Sequence, residues 1–164
     1  LDTRTSIGQR FVHYSSRGEL VPDELTIELW KAQVDNWSDS HVYKPDIDFL
    51  VLDGIPRNVP QAEMISNFLE IHQVFHLSCP DRTELARRMR KRALKDNRID
   101  DASDRVIQQR IATYEAETKP ILEYYSGGLV TEIDAAQPPV EVLNDIISKI
   151  VSLPVYKESA KQGI

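Results

Sequence analysis

Three short apolar runs punctuate the chain: "IDFLVLD" (47–53), "QVFHLS" (73–78) and "LVTEI" (129–133). Each has the length of a buried strand and is bounded by polar or turn-forming residues, so the pattern predicts three strands. The residues between them follow a helical period. "PQAEMISNFLEIH" (60–72) puts Met64, Ile65, Phe68 and Leu69 on one face, and "VEVLNDIISKIV" (140–151) gathers Leu143, Ile146, Ile147 and Ile150. "DRVIQQRIATYEAE" (104–117) carries Val106, Ile107, Ile111 and Tyr114 at helical spacing, and Pro120 ends or kinks it. "DRTELARRMRKR" (81–92) opens on Asp81 with Glu84 three residues on, a variant of the capping box. Its only large apolar positions are Leu85 and Met89, so most of its surface must meet solvent or a ligand. Residues 5–16 and 23–34 are also helical in pattern, with "GELVPDEL" as the break, and the tail "YKESAKQGI" is predicted to fray.

Strands alternating with helices give an α/β fold with a parallel sheet and short connections. Parallel sheets are covered by helices on both faces, and three strands are few for the helical mass present. A length of 164 residues, with 41% hydrophobic and 28% charged, suits one globular domain with a real core. The net charge of -6 argues against nucleic-acid binding through overall charge. Cys79, the only cysteine, allows no internal disulfide and fits a reducing compartment. No apolar run approaches the roughly 20 residues needed to cross a bilayer. The opening "LDTRTSIGQR" is polar, lacks a signal-peptide pattern and begins without methionine, so a fragment or processed product is expected.

Two constellations carry chemistry. In "FLVLDGIPRNVPQAE" (49–63), Asp53 stands where a strand would end. Ligands of open α/β sheets bind beyond the carboxyl ends of the strands. The Asp53 carboxylate is placed to serve a hydrated metal ion. Gly54 permits a sharp turn and close approach, and Pro56 stiffens the turn so that Arg57 is held out. A planar guanidinium held this way suits a phosphate. Gln61 falls one turn further on, where an amide can read a base edge. The competing reading is a strand end whose acid and base only cap their neighbours. The second constellation is a basic island. Residues 82–98, "RTELARRMRKRALKDNR", hold eight of the chain's twenty Lys and Arg, against only Glu84 and Asp96. Arg88 and Arg92 share a helix face, Arg98 follows the loop "ALKDN", Asp100 and Asp101 follow in "RIDD", and Arg110 lies on the next helix. Four arginines from two helices and their loop can converge on one small polyanion, as phosphoryl transfer demands. A solvated helix face and an arginine-rich RNA patch are the alternatives. The island has no aromatic residue on which a base could stack.

Other candidates are weaker. His13, His41, His72 and His76 show no metal spacing, and His76 is expected to pack in the core. Tyr124 and Tyr125 are expected to dock a helix end, and Trp30 and Trp37 to pack the first helical region. Cys79 reads as an inert small residue.

Together, "GELVPDEL", "FLVLDGIPRNVPQAE", "LARRMRKR", "NRIDD" and "RIATYEAETKPILEYY" resemble the adenylate kinase family of nucleoside monophosphate kinases, in order from about residue 8 to residue 150. The resemblance implies a P-loop NTPase-type parallel sheet with flanking helices and transfer of a phosphoryl group from Mg-ATP to AMP, giving ADP. It implies that Asp53 helps hold magnesium through water, Arg57 binds the monophosphate's phosphate and Gln61 reads adenine. Leu20, Val21 and Gly54 would line the AMP pocket. Arg88 and Arg92 would reach the triphosphate, Arg98 and Arg110 would clamp the transferring group, and Asp100 and Asp101 would orient arginines on closure. Arg88, Arg98, Arg110 and Asp53 are thus the expected catalytic set. The implied domains are an AMP-binding helical region at 1–40, a core of 41–84 and 106–164, and a short lid at 85–105 with no zinc. A cytoplasmic monomer is expected, with nucleotide partners and neither nucleic acid nor membrane. The sequence departs from the family in lacking a G-x-x-x-x-G-K phosphate loop. Its glycines are Gly8, Gly18, Gly54, Gly127, Gly128 and Gly163. The expectation is therefore an N-terminally incomplete kinase, missing the first strand, phosphate loop, first helix and second strand, and inactive alone. A UMP/CMP-type kinase and a non-catalytic nucleotide-binding domain that lost its loop remain alternatives.

Overall fold

The computed structural model, which describes residues 6–15, 21–97 and 102–161, falls into two units, Leu1–Leu69 and Glu70–Ile164. The first unit contains α1 (Ser6–Ser15), α2 (Asp23–Asp39) and α3 (Val59–Ser66). Helix α2 starts after Pro22, whose carbonyl accepts from the Thr26 N–H at 3.0 Å and the Thr26 hydroxyl at 3.2 Å. Asp23 and Glu24 occupy its first turn, where negative charge meets the positive end of the helix dipole. Helix α3 is capped by Asn58, whose side-chain oxygen accepts from the Gln61 N–H at 2.8 Å. Pro60 in its first turn gives up an N–H that had no intrahelical partner. Leu25 and Ile27 of α2 are buried, as are Ala62 and Ile65 of α3, and the two helices pack together.

The second unit runs β1 (Val74–Ser78), α4 (Arg82–Lys95), α5 (Asp104–Thr113), a π-helical turn (Tyr114–Thr118), α6 (Ile121–Tyr124), β2 (Val130–Asp134), α7 (Pro139–Ser152) and α8 (Pro154–Lys161). The strands pair in parallel, from Val74 opposite Val130 to Ser78 opposite Asp134. The Val74 N–H donates to the Leu129 carbonyl and the Ala135 N–H to that of Ser78, both at 2.8 Å, extending the ladder at each end. Ala93, Ile107, Ile111, Ile121, Tyr125 and Ile133 are buried in this unit.

Several expectations need correction. The run 47–53 is not a strand. A strand needs a neighbour to take its backbone hydrogen bonds, and among the described residues none pairs with this segment. Val51 is accordingly 81% exposed. The sheet has two strands among the described residues instead of three, and Asp53 follows an irregular segment. The helix expected over 60–72 stops at Ser66, because Asn67 caps it and folds its amide onto the Glu63 carbonyl at 3.1 Å. The helix over 104–117 widens after Thr113, with the Lys119 N–H reaching back to the Tyr114 carbonyl at 2.8 Å. Pro120 has no N–H for the following bond and its ring crowds the preceding turn, which accounts for the widening. The tail does not fray over 156–161: α8 opens on Pro154, and the Lys157 N–H closes its first turn on the Leu153 carbonyl at 3.1 Å. The single apolar face expected of α7 is split, with Ile146 and Ile150 half-buried but Leu143 and Ile147 exposed. No described helix is long and apolar enough to cross a membrane.

Candidate functional site

In the first unit, the turn after Asp53 and the start of α3 are joined to α2 by a hydrogen-bonded cluster. Gly54 takes a φ of +79°, a conformation that favours glycine, and the Ile55–Pro56 peptide is cis. The Arg57 side chain turns back so that its Nε donates to the Gly54 carbonyl at 2.8 Å, and the residue remains exposed. The Arg57 backbone N–H donates to Gln61 Oε1 at 2.9 Å. Gln61 is 5% exposed, and its Nε2 donates to Asp23 Oδ1 at 2.5 Å. Asn58 Nδ2 donates to the other Asp23 oxygen, Oδ2, at 2.8 Å. The cluster thus brings two of the expected site residues, Arg57 and Gln61, to one helix N-terminus. It adds two that the sequence reading passed over, Asp23 and Asn58. Val21 is half-buried just before α2, and Leu20 lies outside the described residues. Asp53 is exposed beside this turn.

In the second unit, Asp81 caps α4 as expected, with Oδ1 accepting from the N–H groups of Thr83 at 2.8 Å and Glu84 at 3.2 Å. The Glu84 side chain serves a different purpose from the other half of a capping box. It accepts from Arg87 Nε at 2.6 Å and Nη2 at 2.7 Å, and from Arg88 Nε at 2.6 Å. Arg88 also donates through Nη1 to the Ala135 carbonyl and through Nη2 to that of Ala136 at 2.6 Å. Its guanidinium is therefore fixed just beyond the carboxyl end of β2, the edge at which α/β sheets bind ligands. Arg92 stands differently: its side chain is 81% exposed, with Nε 3.8 Å from Asp96 Oδ2. Arg110 is exposed on α5, on the helix face it shares with Val106, Gln109 and Thr113. Arg98, Asp100 and Asp101 lie outside the described residues. His76 is half-buried, with Nε2 2.9 Å from the Tyr114 hydroxyl.

Hydrogen bonds from Arg87 and then Arg88 hold the Glu84 carboxyl at a pKa of about 2, below its ordinary 4.5, and outweigh the opposing effect of desolvation. A depressed carboxylate contributes stability that is fully present above pH 4.5 and is lost as pH falls toward 2. The carboxyl carbon of Glu84, followed by NMR, is therefore expected to titrate with a midpoint near 2, and a midpoint near 4.5 would mean that the two arginines leave it in solution.

Among the described residues, no group of three or more His, Cys, Asp or Glu gathers to hold a metal. Asp53 offers one exposed oxygen-donor carboxylate. That fits a magnesium ion arriving on a nucleotide triphosphate, since magnesium keeps several waters and needs only one or two protein carboxylates.

The adenylate kinase family profile matches residues 1–129 of the chain. The adenylate kinase of Leptospira biflexa serovar Patoc is 32% identical over 152 residues, covering 89% of this chain and 77% of the relative. That of Thermobifida fusca is 34% identical over 154 residues, covering 90% and 77%. That of Bacteroides fragilis is 30% identical over 155 residues, covering 91% and 77%. The mixed α/β build, with its parallel sheet and flanking helices, agrees with the P-loop NTPase-type fold of these kinases.

Proposed function

The chain belongs to the adenylate kinase family of nucleotide-binding phosphotransferases, and from that premise we propose that it carries the AMP-binding and arginine-bearing parts of an enzyme converting Mg-ATP and AMP into ADP. Arg57 binds the AMP phosphate, Gln61 reads the adenine edge, and the backbone at Leu20 and Val21 lines the pocket. Gly54 gives the nucleotide room beside the turn. Arg88 and Arg92 meet the triphosphate. Arg98 and Arg110 neutralise the charge that develops on the transferring oxygens, and Asp100 and Asp101 orient arginines as the lid closes. Asp53 holds, through water, the magnesium that ATP brings. The reaction is an in-line displacement with no covalent intermediate on the protein, so its rate comes from positioning and from fixed charge. The AMP-side helical region at 1–40 and the short lid at 85–105 close over the substrates and exclude water. The intact enzyme works as a cytoplasmic monomer.

One observation carries this reading. An exposed guanidinium and a buried, oriented amide stand four residues apart at one helix N-terminus, joined by the bond from the Arg57 N–H to Gln61 Oε1 at 2.9 Å. That pairs a phosphate binder with a group able to read a base at close range. The test uses the full-length protein, meaning these residues together with any coding sequence in frame before Leu1. Mg-ATP is supplied with AMP, CMP or UMP, and phosphorus NMR follows the products. AMP is expected to be consumed with the highest kcat/KM. Preference for CMP or UMP would assign the chain to the pyrimidine kinases, and no turnover with any of them would leave a binding domain.

Replacing Arg57 with alanine removes a ground-state contact to the AMP phosphate. The KM for AMP is expected to rise about tenfold to a hundredfold, the equivalent of a lost charge-assisted hydrogen bond. The KM for ATP should stay near its original value, and an equal rise in both would contradict the assignment.

A further inference from the structure

We propose that Asp23 is a positioning residue that sets the orientation of the Gln61 amide and, through it, the choice of base; this rests on Gln61 reading the nucleotide, as proposed above. A glutamine side chain ends in an oxygen and a nitrogen of nearly equal size, and turning it over exchanges acceptor for donor at every neighbour. A base-reading amide that is free to turn presents both patterns and discriminates poorly. In this chain the two ends of the amide meet groups of opposite kind. The Arg57 backbone N–H, which can only donate, faces Oε1 at 2.9 Å. The Asp23 carboxylate, an acceptor when ionised, faces Nε2 at 2.5 Å. Turned over, the amide would set N–H against N–H and oxygen against carboxylate. Gln61 is 5% exposed, so water has little room to repair such a mismatch.

Asp23 is in turn held in place. Its second oxygen accepts from Asn58 Nδ2 at 2.8 Å, and Asn58 uses its own oxygen to cap the Gln61 N–H at 2.8 Å. The carboxylate lies in the first turn of α2, where the helix dipole favours negative charge. Once oriented, the Gln61 amide keeps one N–H and one oxygen lone pair beyond these two bonds. That donor–acceptor pair complements the amino group and neighbouring ring nitrogen of adenine. The ring-nitrogen donor of uracil would meet the leftover N–H. Cytosine shares adenine's amino-and-ring-nitrogen pattern on that edge, so selection against it rests on ring size as well, and UMP is the discriminating probe.

The experiment compares wild type, Asp23→Asn and Gln61→Leu in the full-length protein, reading kcat and KM for AMP and UMP together with Tm. Asparagine keeps the size of aspartate but can donate as well as accept, so it removes the constraint while leaving a bond possible. In Asp23→Asn the KM for AMP is expected to rise while kcat moves far less, and the AMP-over-UMP ratio of kcat/KM to fall about tenfold or more, the scale on which a mispaired buried polar group acts. Asp23→Glu, which again can only accept when ionised, should recover part of that ratio. A merely structural role would lower Tm without moving the ratio, and that result overturns the proposal. If Gln61→Leu collapses the ratio but Asp23→Asn does not, the base-reading assignment stands and the positioning role falls. If Gln61→Leu leaves the ratio unchanged, both fall. Should Asp23→Asn fail to fold, the Gln61 side-chain amide of the wild type decides by proton NMR. One downfield proton, slow to exchange, is required, and a pair at free-amide positions overturns the proposal.

Discussion

Replacing Arg110 with alanine is expected to lower kcat by about two to four orders of magnitude, the range seen when a fixed positive charge is withdrawn from a transition state. Helix α5 turns Ile107 and Ile111 into the core, so the helix is anchored by its apolar face while Arg110 projects from an exposed one. Truncating the side chain should therefore leave the fold intact, and Tm is expected to change little. The loss should appear in kcat and in kcat/KM alike, because charge on the transferring oxygens reaches its full distribution only in the transition state. Lysine at this position should recover a minor share, since it supplies a charge without the planar fork. If kcat stays within about threefold of the original, Arg110 does not clamp the transferring group.

The second large effect concerns the 164 residues by themselves, which are expected to show at least about a thousandfold less turnover than an intact kinase of the family. A kinase of this kind cradles the triphosphate with consecutive backbone N–H groups and a lysine. No arrangement of the six glycines supplies G-x-x-x-x-G-K within this sequence. The assay is ADP formation by the purified chain beside an intact kinase of the family. Matching rates would refute this prediction while leaving the family assignment intact.

The local code read well where a helix or strand is decided by its own residues. The apolar periods at 23–34, 81–92 and 140–151 all lie in helices, and Asp81 caps as its spacing indicates. The runs 73–78 and 129–133 supply the two paired strands. The code failed where a distant partner decides. "IDFLVLD" has a strand's composition, yet composition supplies no neighbouring ladder. Pro120 announced a break, but a proline alone does not say whether the helix before it will end, kink or widen into the π-helical turn observed. In the candidate cluster, the proximity of Arg57 and Gln61 was legible because they lie four residues apart in sequence, and the structure joins them by a hydrogen bond. Asn58 had a local signal, an asparagine two residues before a proline at a helix start. Asp23 had none beyond its place after Pro22, since its partners lie 35 and 38 residues away. Glu84 was recognised as half of a capping box, but its grip on Arg87 and Arg88 needed the side-chain geometry.

The central claim is that Arg57 and Gln61 receive the two ends of one adenine nucleotide. Nitrogen NMR of the full-length protein tests it most directly, with AMP and then adenosine as probes. AMP is expected to shift both Arg57 Nε and Gln61 Nε2, whereas adenosine, which has no phosphate, should shift Gln61 and leave Arg57 in place. Saturation with AMP that moves neither signal would contradict the account.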